Sequence, residues 1–453
     1  MIIRSIPYRD PLVAFESFAH DSQAVLLDGG AVQKDGKNFS YIAADPVCVI
    51  EASHRGVTVD GKKLFGDPFA VLERELRKYE LTAPEAPTPF AGGAVGYLGY
   101  ELGGCLEKLP EPRRDKFDLP WMVMGIYDRI AAFDHAQEKA WIIARPDVES
   151  ARIELFAQKL EQAPSRMAAI DWSMRGVWES ELSRSEVEQR IEKIIDYIRA
   201  GDIFQANFTQ RFHAARLLGL DDFMLYRRLR ALSPAPFAAF LRYQKISVAS
   251  ASPERFLRVH RDGVVEAQPI KGTRPRDPDP ARDAALADEL KSSTKDGAEN
   301  LMIVDLMRND LSRVCALGSV RVPDLCKLES FASVHHLVST VTGQLRPGVG
   351  PVDLLRASFP GGSITGAPKI RAMEIIHELE PAPRGVYCGC LGWIGFDQTM
   401  DMSMVIRTLT VMEDTILAQA GGGIVADSDP TDEYEESMLK IKPLLRAVTG
   451  EAA

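Results

Sequence analysis

Ser252-Pro253-Glu254-Arg255-Phe256-Leu257-Arg258-Val259-His260-Arg261-Asp262-Gly263-Val264-Val265-Glu266-Ala267-Gln268-Pro269-Ile270-Lys271-Gly272-Thr273 reads as two strand-like runs folded about Asp262-Gly263. Asp-Gly is a strong short-range hairpin signal, because a two-residue connection needs backbone conformations that few residues adopt readily. With those residues at the centre of the turn, Arg261 pairs with Val264, Leu257 with Gln268 and Glu254 with Lys271. Directly opposed residues share a sheet face with Cβ atoms roughly 5 Å apart, so this register sets a carboxylate against a lysine. Pro253 and Pro269 flank the pair, and Gly272 follows the lysine. Proline stiffens the backbone and can shift the register through a bulge, while glycine permits a turn or a close approach. A lysine that attacks a substrate must be held still and largely neutral. A cross-strand ion pair is the alternative that this geometry leaves open.

Upstream, Val187, Ile191, Ile194, Ile195 and Ile198 form an apolar stripe at helical spacing. A capping-box pattern at Ser185 and Glu188 opens that helix and Gly201 closes it. Phe204, Ala206, Phe208 and Phe212 then alternate with Gln205, Asn207, Thr209 and Arg211, the period of a strand with one polar face. Such a face is either solvated or lines a cleft. Further strands are predicted near 237–241 and 247–251.

Downstream, a Pro- and charge-rich loop leads into a long helical region ending near Leu311. Its centre, Leu301-Met302-Ile303-Val304 with Leu306-Met307, is apolar all round, which predicts burial. Asp305, Arg308, Asn309 and Asp310 would then have to find partners. Gly361 and Gly366 match G-x-x-x-x-G, but Ala367 stands where a P-loop requires lysine, so nucleotide binding is excluded. A helix follows, ending before Pro381. Strands are predicted at 385–395, 402–411 and 416–420, followed by Gly421-Gly422-Gly423, which could form an anion-binding nest or a tight turn. The last helix has Asp429 as N-cap and Pro430 at its first position. Glu433, Glu436 and Lys440 lie on one side of it; Tyr434, Met438, Ile441 and Leu445 form the opposite, core-facing stripe. Asp296 with Glu299 and Glu433 with Glu436 are two acidic i, i+3 pairs beside glycine turns. They point to a carboxylate-lined metal site, and the lack of a His or Cys cluster favours Mg²⁺.

The chain has 453 residues, 45% of them hydrophobic and 26% charged, the composition of an ordinary soluble globular protein. Its net charge of −10, without a Lys/Arg block, argues against a nucleic-acid partner. An anionic substrate must therefore be captured by local cations, a metal or backbone N–H groups. No run approaches the ~20 apolar residues of a membrane helix, and the first residues lack a signal-peptide core. The six cysteines are scattered, and Cys388 and Cys390 would share a strand face, so buried thiols in a reduced, cytoplasmic protein are expected. Residues 1–165 carry short apolar runs and turn signals at Asp28-Gly29-Gly30, Asp35-Gly36 and Asp60-Gly61, with helices near 68–79 and 148–162. A boundary near 164–175 divides this region from residues 176–453.

The chain resembles the chorismate-utilising enzymes over nearly its whole length, most strongly over 177–447. The resemblance rests on Gly201-Asp202-Ile203-Phe204-Gln205-Ala206-Asn207, Ser252-Pro253-Glu254-Arg255-Phe256 and Pro269-Ile270-Lys271-Gly272-Thr273. Ala298-Glu299-Asn300-Leu301-Met302-Ile303-Val304-Asp305-Leu306, Gly362-Ser363-Ile364-Thr365-Gly366-Ala367-Pro368-Lys369 and Gly421-Gly422-Gly423-Ile424-Val425 extend it. It implies an α+β fold of two stacked, largely antiparallel β-sheets with helices outside, and a Mg²⁺–chorismate site in the cleft between them. Glu299 and Glu436 would be metal carboxylates, with Asp296 and Glu433 in support. The ring carboxylate would meet the metal, the amides of Gly421, Gly422 and Gly423, and Lys440. Arg407 and Tyr387 would hold the enolpyruvyl carboxylate, and His336 and Thr365 would lie near C4. Relatives that add water carry a lysine base where Gln205 stands, and anthranilate synthases carry alanine where Lys271 stands. The two positions together imply the branch that aminates chorismate at C4, the aminodeoxychorismate synthases, with anthranilate synthesis as the alternative. In that branch Lys271 would attack C2 and a protonated Glu254 would assist loss of the C4 hydroxyl. Ammonia would come from a separate glutamine amidotransferase. Leu26-Leu27-Asp28-Gly29 departs from the Leu-Leu-Glu-Ser motif through which some relatives bind tryptophan.

Overall fold

A computed structural model describes residues 1–30, 38–82, 85–173, 175–331 and 334–451; the Asp35-Gly36 turn signal lies outside them. Among the described residues the strands form two twelve-stranded sheets. A core containing Val25, Tyr41, Ala239 and Val248 from one sheet and Val95, Tyr97, Leu391 and Trp393 from the other fills the space between their faces. Helices cover the outer faces. Phe69, Leu72, Ile303 and Val304 pack on one, and Phe156, Phe223, Ile441 and Leu444 on the other. This is the expected way to bury both faces of two amphipathic sheets. Each sheet takes strands from both sides of the 165–176 boundary: Val25–Asp28 pairs with Phe237–Tyr243, and Gly93–Leu98 with Cys390–Gly395.

The elements that build the site are, in chain order, helix α1 (Arg184–Arg199), strands β1 (Gln205–Ala215), β2 (Arg255–Val259), β3 (Val264–Ala267) and β4 (Ile270–Pro275), helix α2 (Thr294–Ser312), strand β5 (Val334–Gln344), helix α3 (Lys369–Leu379), strands β6 (Met400–Met404), β7 (Thr408–Val411) and β8 (Thr415–Ile424), and helix α4 (Pro430–Thr449). The pairings of β1 with β8, β2 with β3 and β6, and β3 and β4 with β5 are all antiparallel.

Several expectations are corrected. The hairpin at Asp262-Gly263 exists, but Arg258 pairs with Glu266 and Val259 with Val265, one residue off the expected register. His260 N–H donates to the Val264 carbonyl and Gly263 N–H to the His260 carbonyl, and Gly263 has φ +78°. The loop is thus the three-residue kind with glycine in the left-handed position. The capping box of α1 is formed by Ser183 and Glu186, not Ser185 and Glu188. Leu182 before the cap and Val187 after it are both buried in one cluster, so an apolar staple selects the earlier serine.

Helix α2 is apolar all round in sequence only. Ile303, Val304, Met307 and Leu311 are buried, whereas Leu301 is 48% exposed, because just one face meets a sheet. Asp310 turns inward onto Lys369 Nζ at 2.8 Å, while Asp305 and Arg308 pair on the open face. The predicted strand at 385–395 is reduced to Cys390–Gly395. The run at 402–411 is two strands in different sheets, and Arg407 at φ +50° makes the turn between them. Gly421–Gly423 form neither nest nor tight turn; they continue β8 and pair with β1. On α4 the buried line runs through Glu433, Ser437, Ile441, Leu444 and Val448, so Glu433 faces inward and Tyr434, Met438 and Leu445 flank it. All six cysteines are free, and Cys388 and Cys390 are buried.

Candidate active site

The site forms where the N-terminal end of β1, the C-terminal end of β8, β4, α2, α4 and the loop around Gly362–Ile364 converge. Lys271 lies on β4 opposite Leu337, immediately before a bulge. Gly272 makes that bulge at φ +80°, and a Cβ there would come within 3.0 Å of Leu290 and Asp296 side-chain atoms. Both properties demand glycine: the backbone is left-handed and the space is taken.

The one-residue register shift leaves Glu254 still beside the lysine. Its carboxylate is buried, accepts a hydrogen bond from Ser363 Oγ at 2.9 Å and from the Ile270 amide, and feels the charge of Lys271. Burial dominates, raising its pKa to about 7 against the lowering effect of those three groups. Glu254 therefore holds a proton through much of the neutral range. Ser363 sits in the glycine-rich loop already noted for its sequence, yet nothing in the sequence showed that its hydroxyl would reach Glu254.

The acidic residues gather with lysines among them. Glu433 Oε1 accepts hydrogen bonds from Ser428 Oγ at 2.7 Å and Lys295 Nζ at 3.4 Å. Glu436 Oε1 lies 2.6 Å from Lys440 Nζ, which also donates to the Gly421 carbonyl at 3.2 Å. Burial raises the Glu299 pKa, with Glu433 and Asp296 adding to it. At Glu436 the desolvation is outweighed by Lys440, Lys295 and Lys271, and the pKa falls. Asp296 is approached by Arg274 Nη2 at 3.4 Å. Among the described residues no three His, Cys, Asp or Glu side chains are close enough to hold a metal ion. Lys295 and Lys440 hold two of the carboxylates. The donor types, all oxygen and drawn from two helices, are those of a hard divalent cation; the Glu299 carboxyl is raised by burial, while Lys271 and Lys295 pull it down by more than Glu433 and Asp296 push it up. Lys295, one residue before Asp296, is a member of this cluster that residue patterns did not single out.

The glycine strand has different groups on its two faces. A Cβ on Gly422 would meet Glu433 Oε2 at 3.2 Å and Lys440 Nζ at 3.7 Å, whereas one on Gly423 would meet Gln205 Nε2 at 2.1 Å and Lys271 Nζ at 3.2 Å. Asn207 and Thr209, opposite Gly423 and Gly421, send their own N–H groups elsewhere, to the Thr365 carbonyl and Glu380 Oε1. In an antiparallel ladder this leaves the Gly421 and Gly423 amides facing away from β1, on the open edge.

Arg407 is a largely buried guanidinium whose only resolved perturbation is desolvation, which lowers its pKa. Burial, with a smaller contribution from the Arg407 charge, holds the His336 imidazole neutral, with a pKa lowered to about 4. His336 Nδ1 is 2.9 Å from Thr273 Oγ1. Thr365 is fully buried and donates its hydroxyl to the Gly361 carbonyl at 2.9 Å. Tyr387 lies beside Arg384 and Glu380, and burial keeps its phenol protonated. Arg384, a residue sequence patterns did not mark, binds the loop to β1. It donates to the Ile364 carbonyl at 2.7 Å, the Asn207 carbonyl at 2.6 Å and both Glu380 oxygens. A separate cavity between the sheets is lined by Asp28, Phe237, Arg255, Trp393 and Asp401. There the Asp28 carboxylate accepts from Tyr226 Oη at 2.8 Å. No helix is long and apolar enough to cross a membrane among the described residues.

Comparison with known proteins bears on the family and the fold. A family model described as chorismate binding enzyme matches residues 25–446. The chain is 41% identical over 443 residues to aminodeoxychorismate synthase component 1 of Escherichia coli (strain K12), covering 95% of this chain and 94% of that one. It is 40% identical over 442 residues to anthranilate synthase component 1 of Thermus thermophilus, covering 97% and 95%. Among solved structures, anthranilate synthase component I from Streptococcus pneumoniae TIGR4 superposes with a TM-score of 0.82 at 33% identity, covering 90% of this chain and 92% of that one.

Proposed function

The chain belongs to the chorismate binding enzyme family, and we propose that within it the protein is an aminodeoxychorismate synthase component I. It converts chorismate and ammonia to 4-amino-4-deoxychorismate and water. The observation that carries this reading is Lys271, held on a glycine bulge beside a buried glutamate whose pKa is raised to about 7. A neutral amine forms the Nζ–C2 bond, the ring double bonds shift, and the C4 oxygen leaves as water with the proton from Glu254. The proton shed by the new ammonium restores Glu254. Ammonia then bonds to C4, the double bonds return, and C2–Nζ breaks, giving back the free amine once a proton has passed to it. The attack requires Lys271 to shed its proton first, and an uncharged Glu254 removes one attraction that would oppose that loss.

Arg407 supplies a cation for a substrate carboxylate, with no acid paired to it among the described residues, and neutral His336 and the Thr365 loop bound the ring. Glu299 and Glu436, with Asp296 and Glu433 around them, would hold Mg²⁺. When bound, the ion neutralises the ring carboxylate. Relatives bear the name component 1, and a cytoplasmic glutamine amidotransferase is the partner that would deliver ammonia. The product would serve para-aminobenzoate and folate synthesis. Anthranilate synthase is the competing reading, given the 40% identity to one. Incubation with chorismate, Mg²⁺ and ammonium, followed by chromatography, decides between them. Aminodeoxychorismate supports the proposal; anthranilate, which is fluorescent, refutes it.

A further inference from the structure

Ser363 sits at the middle of the turn Gly362–Ile364, and its hydroxyl donates to Glu254 Oε1 at 2.9 Å. Both side chains are buried. The turn has no room to shift. A Cβ on Gly361 would come within 2.4 Å of Met404 Cε and 3.2 Å of Phe256, and one on Gly362 within 2.5 Å of Leu306 Cδ2. Its backbone therefore lies directly against β2 and β6 on one side and α2 on the other. Thr365 Oγ1 closes the turn by donating to the Gly361 carbonyl at 2.9 Å, and Arg384 holds the Ile364 carbonyl at 2.7 Å. Glu254 is anchored to the same place, since its carbonyl accepts from the Met404 amide at 3.0 Å. Hydroxyl and carboxyl are thus fixed to each other through their backbones.

A protonated carboxyl has one oxygen that accepts and one that donates. A hydroxyl donating to Oε1 makes that the accepting oxygen and leaves the proton on Oε2. Once the proton has gone, the same hydroxyl faces a carboxylate, and a hydrogen bond to a charged group is roughly twice as strong as one between neutral groups. The contact tightens as the proton departs, which is what a group assisting proton transfer must do. The Ile270 amide and the Lys271 charge, both from β4, also act on this carboxyl. Arg255, next in the chain, is drawn to Asp401 and Glu266. We propose that Ser363 is a positioning residue that places the Glu254 proton on Oε2 for delivery to the C4 oxygen and supports the carboxylate left behind, a deepening that rests on the proposed function. As the C4–O bond breaks, the Oε2 proton passes to the departing oxygen and the O–H electron pair stays on Glu254. The Ser363 O–H bond remains intact throughout.

The test follows the Glu254 carboxyl by infrared difference spectroscopy against pH, in the full chain without divalent cations. Subtracting the Glu254→Gln protein isolates its band, a needed step because burial also raises Glu101 to about 7. Ser363→Ala should move the titration midpoint up by about one pH unit, the effect of losing one hydrogen bond to a charged group. The C=O stretch should rise in frequency, because the carbonyl oxygen loses its donor. Ser363→Cys, similar in size but a weaker donor, should move both the same way by less. At about pH 6, where Glu254 holds its proton, Ser363→Ala should lower kcat for amination about 5-fold with the KM for chorismate within about 2-fold. A hydroxyl that only fills space would leave the band and its midpoint in place. An unmoved midpoint in both variants, or a chorismate KM that rises in step with the fall in kcat, overturns the inference. If the unaltered chain forms no aminodeoxychorismate, the proposed function has failed, and the infrared midpoint alone then decides whether Ser363 governs the Glu254 proton.

Discussion

Glu254→Gln is expected to make the fold more stable than the unaltered chain at alkaline pH and equal to it in acid. The carboxyl has a pKa of about 7 in the fold against an ordinary value of 4.5, mainly because it is buried. Below 4.5 both states hold the proton, and the stabilisation is fully present. As pH rises through about 7 the folded chain must carry a buried charge, and the stabilisation is lost. The difference between the two pKa values corresponds to about 3 kcal/mol. Glutamine keeps an oxygen to accept from Ser363 Oγ and the Ile270 amide, and it never ionises. Urea unfolding of both proteins at several pH values between about 5 and 8, without divalent cations, gives the stability difference directly. It should change by about 2.5 kcal/mol across that range in favour of the variant, the rest of the linkage lying below pH 5. A flat difference would mean that Glu254 is not a buried acid with a raised pKa, and the proposed proton donor would lose its physical basis.

Other outcomes follow from the same geometry. Lys271→Ala should lower aminodeoxychorismate formation by at least about 100-fold and divert residual product to anthranilate, detected by fluorescence; full retained activity would refute covalent catalysis. Arg407→Ala should weaken chorismate binding by about 2–5 kcal/mol in calorimetry, because a substrate carboxylate loses a desolvated partner. The free protein should not be destabilised in parallel, since burial already disfavours that guanidinium. Arg384→Ala should cost about 3–5 kcal/mol of stability in urea, because Glu380 would be left buried without its counter-charge. Glu299→Gln and Glu436→Gln should each weaken the Mg²⁺ concentration dependence of activity, while a chelator should abolish turnover of the unaltered chain.

The two stacked antiparallel sheets were legible through the resemblance to the chorismate-utilising enzymes; individual strands such as β1 were legible because apolar and polar residues alternate there at period two, although both faces turn out to be buried, and helix ends carry their own chemistry. What failed to show were choices between equivalent local signals. Ser183 and Ser185 each begin an S-x-x-E pattern, and only packing of Leu182 against Val187 selects between them. Asp-Gly announces a hairpin, yet whether the loop takes two residues or three depends on the strands it joins, and that slipped the register by one. Three consecutive glycines look like a turn until a neighbouring strand is found to pair with them. The Glu254–Lys271 pairing survived the slip because a bulge at Gly272 and an Ile270 amide that donates to Glu254 keep the two groups together. Arg384 and Lys295 stayed hidden for another reason: their importance lies in partners distant in sequence or on another helix.

The interleaving of the two halves in both sheets has a consequence for how the chain is made. Gly93 pairs with Gly395, and Leu26 with Phe240. About 300 residues must leave the ribosome between the first of those partners and the second, which at about 5–20 residues per second takes roughly 15–60 s. During that interval Gly93–Leu98, buried throughout in the finished protein, lacks the strand that covers one of its edges. Open, apolar edges are templates for unwanted pairing between chains. Biosynthesis is therefore the stage at which this protein is most exposed to aggregation. Slowing translation late in the message lengthens that exposure, whereas a holding chaperone acting on the nascent N-terminal strands shortens its effect.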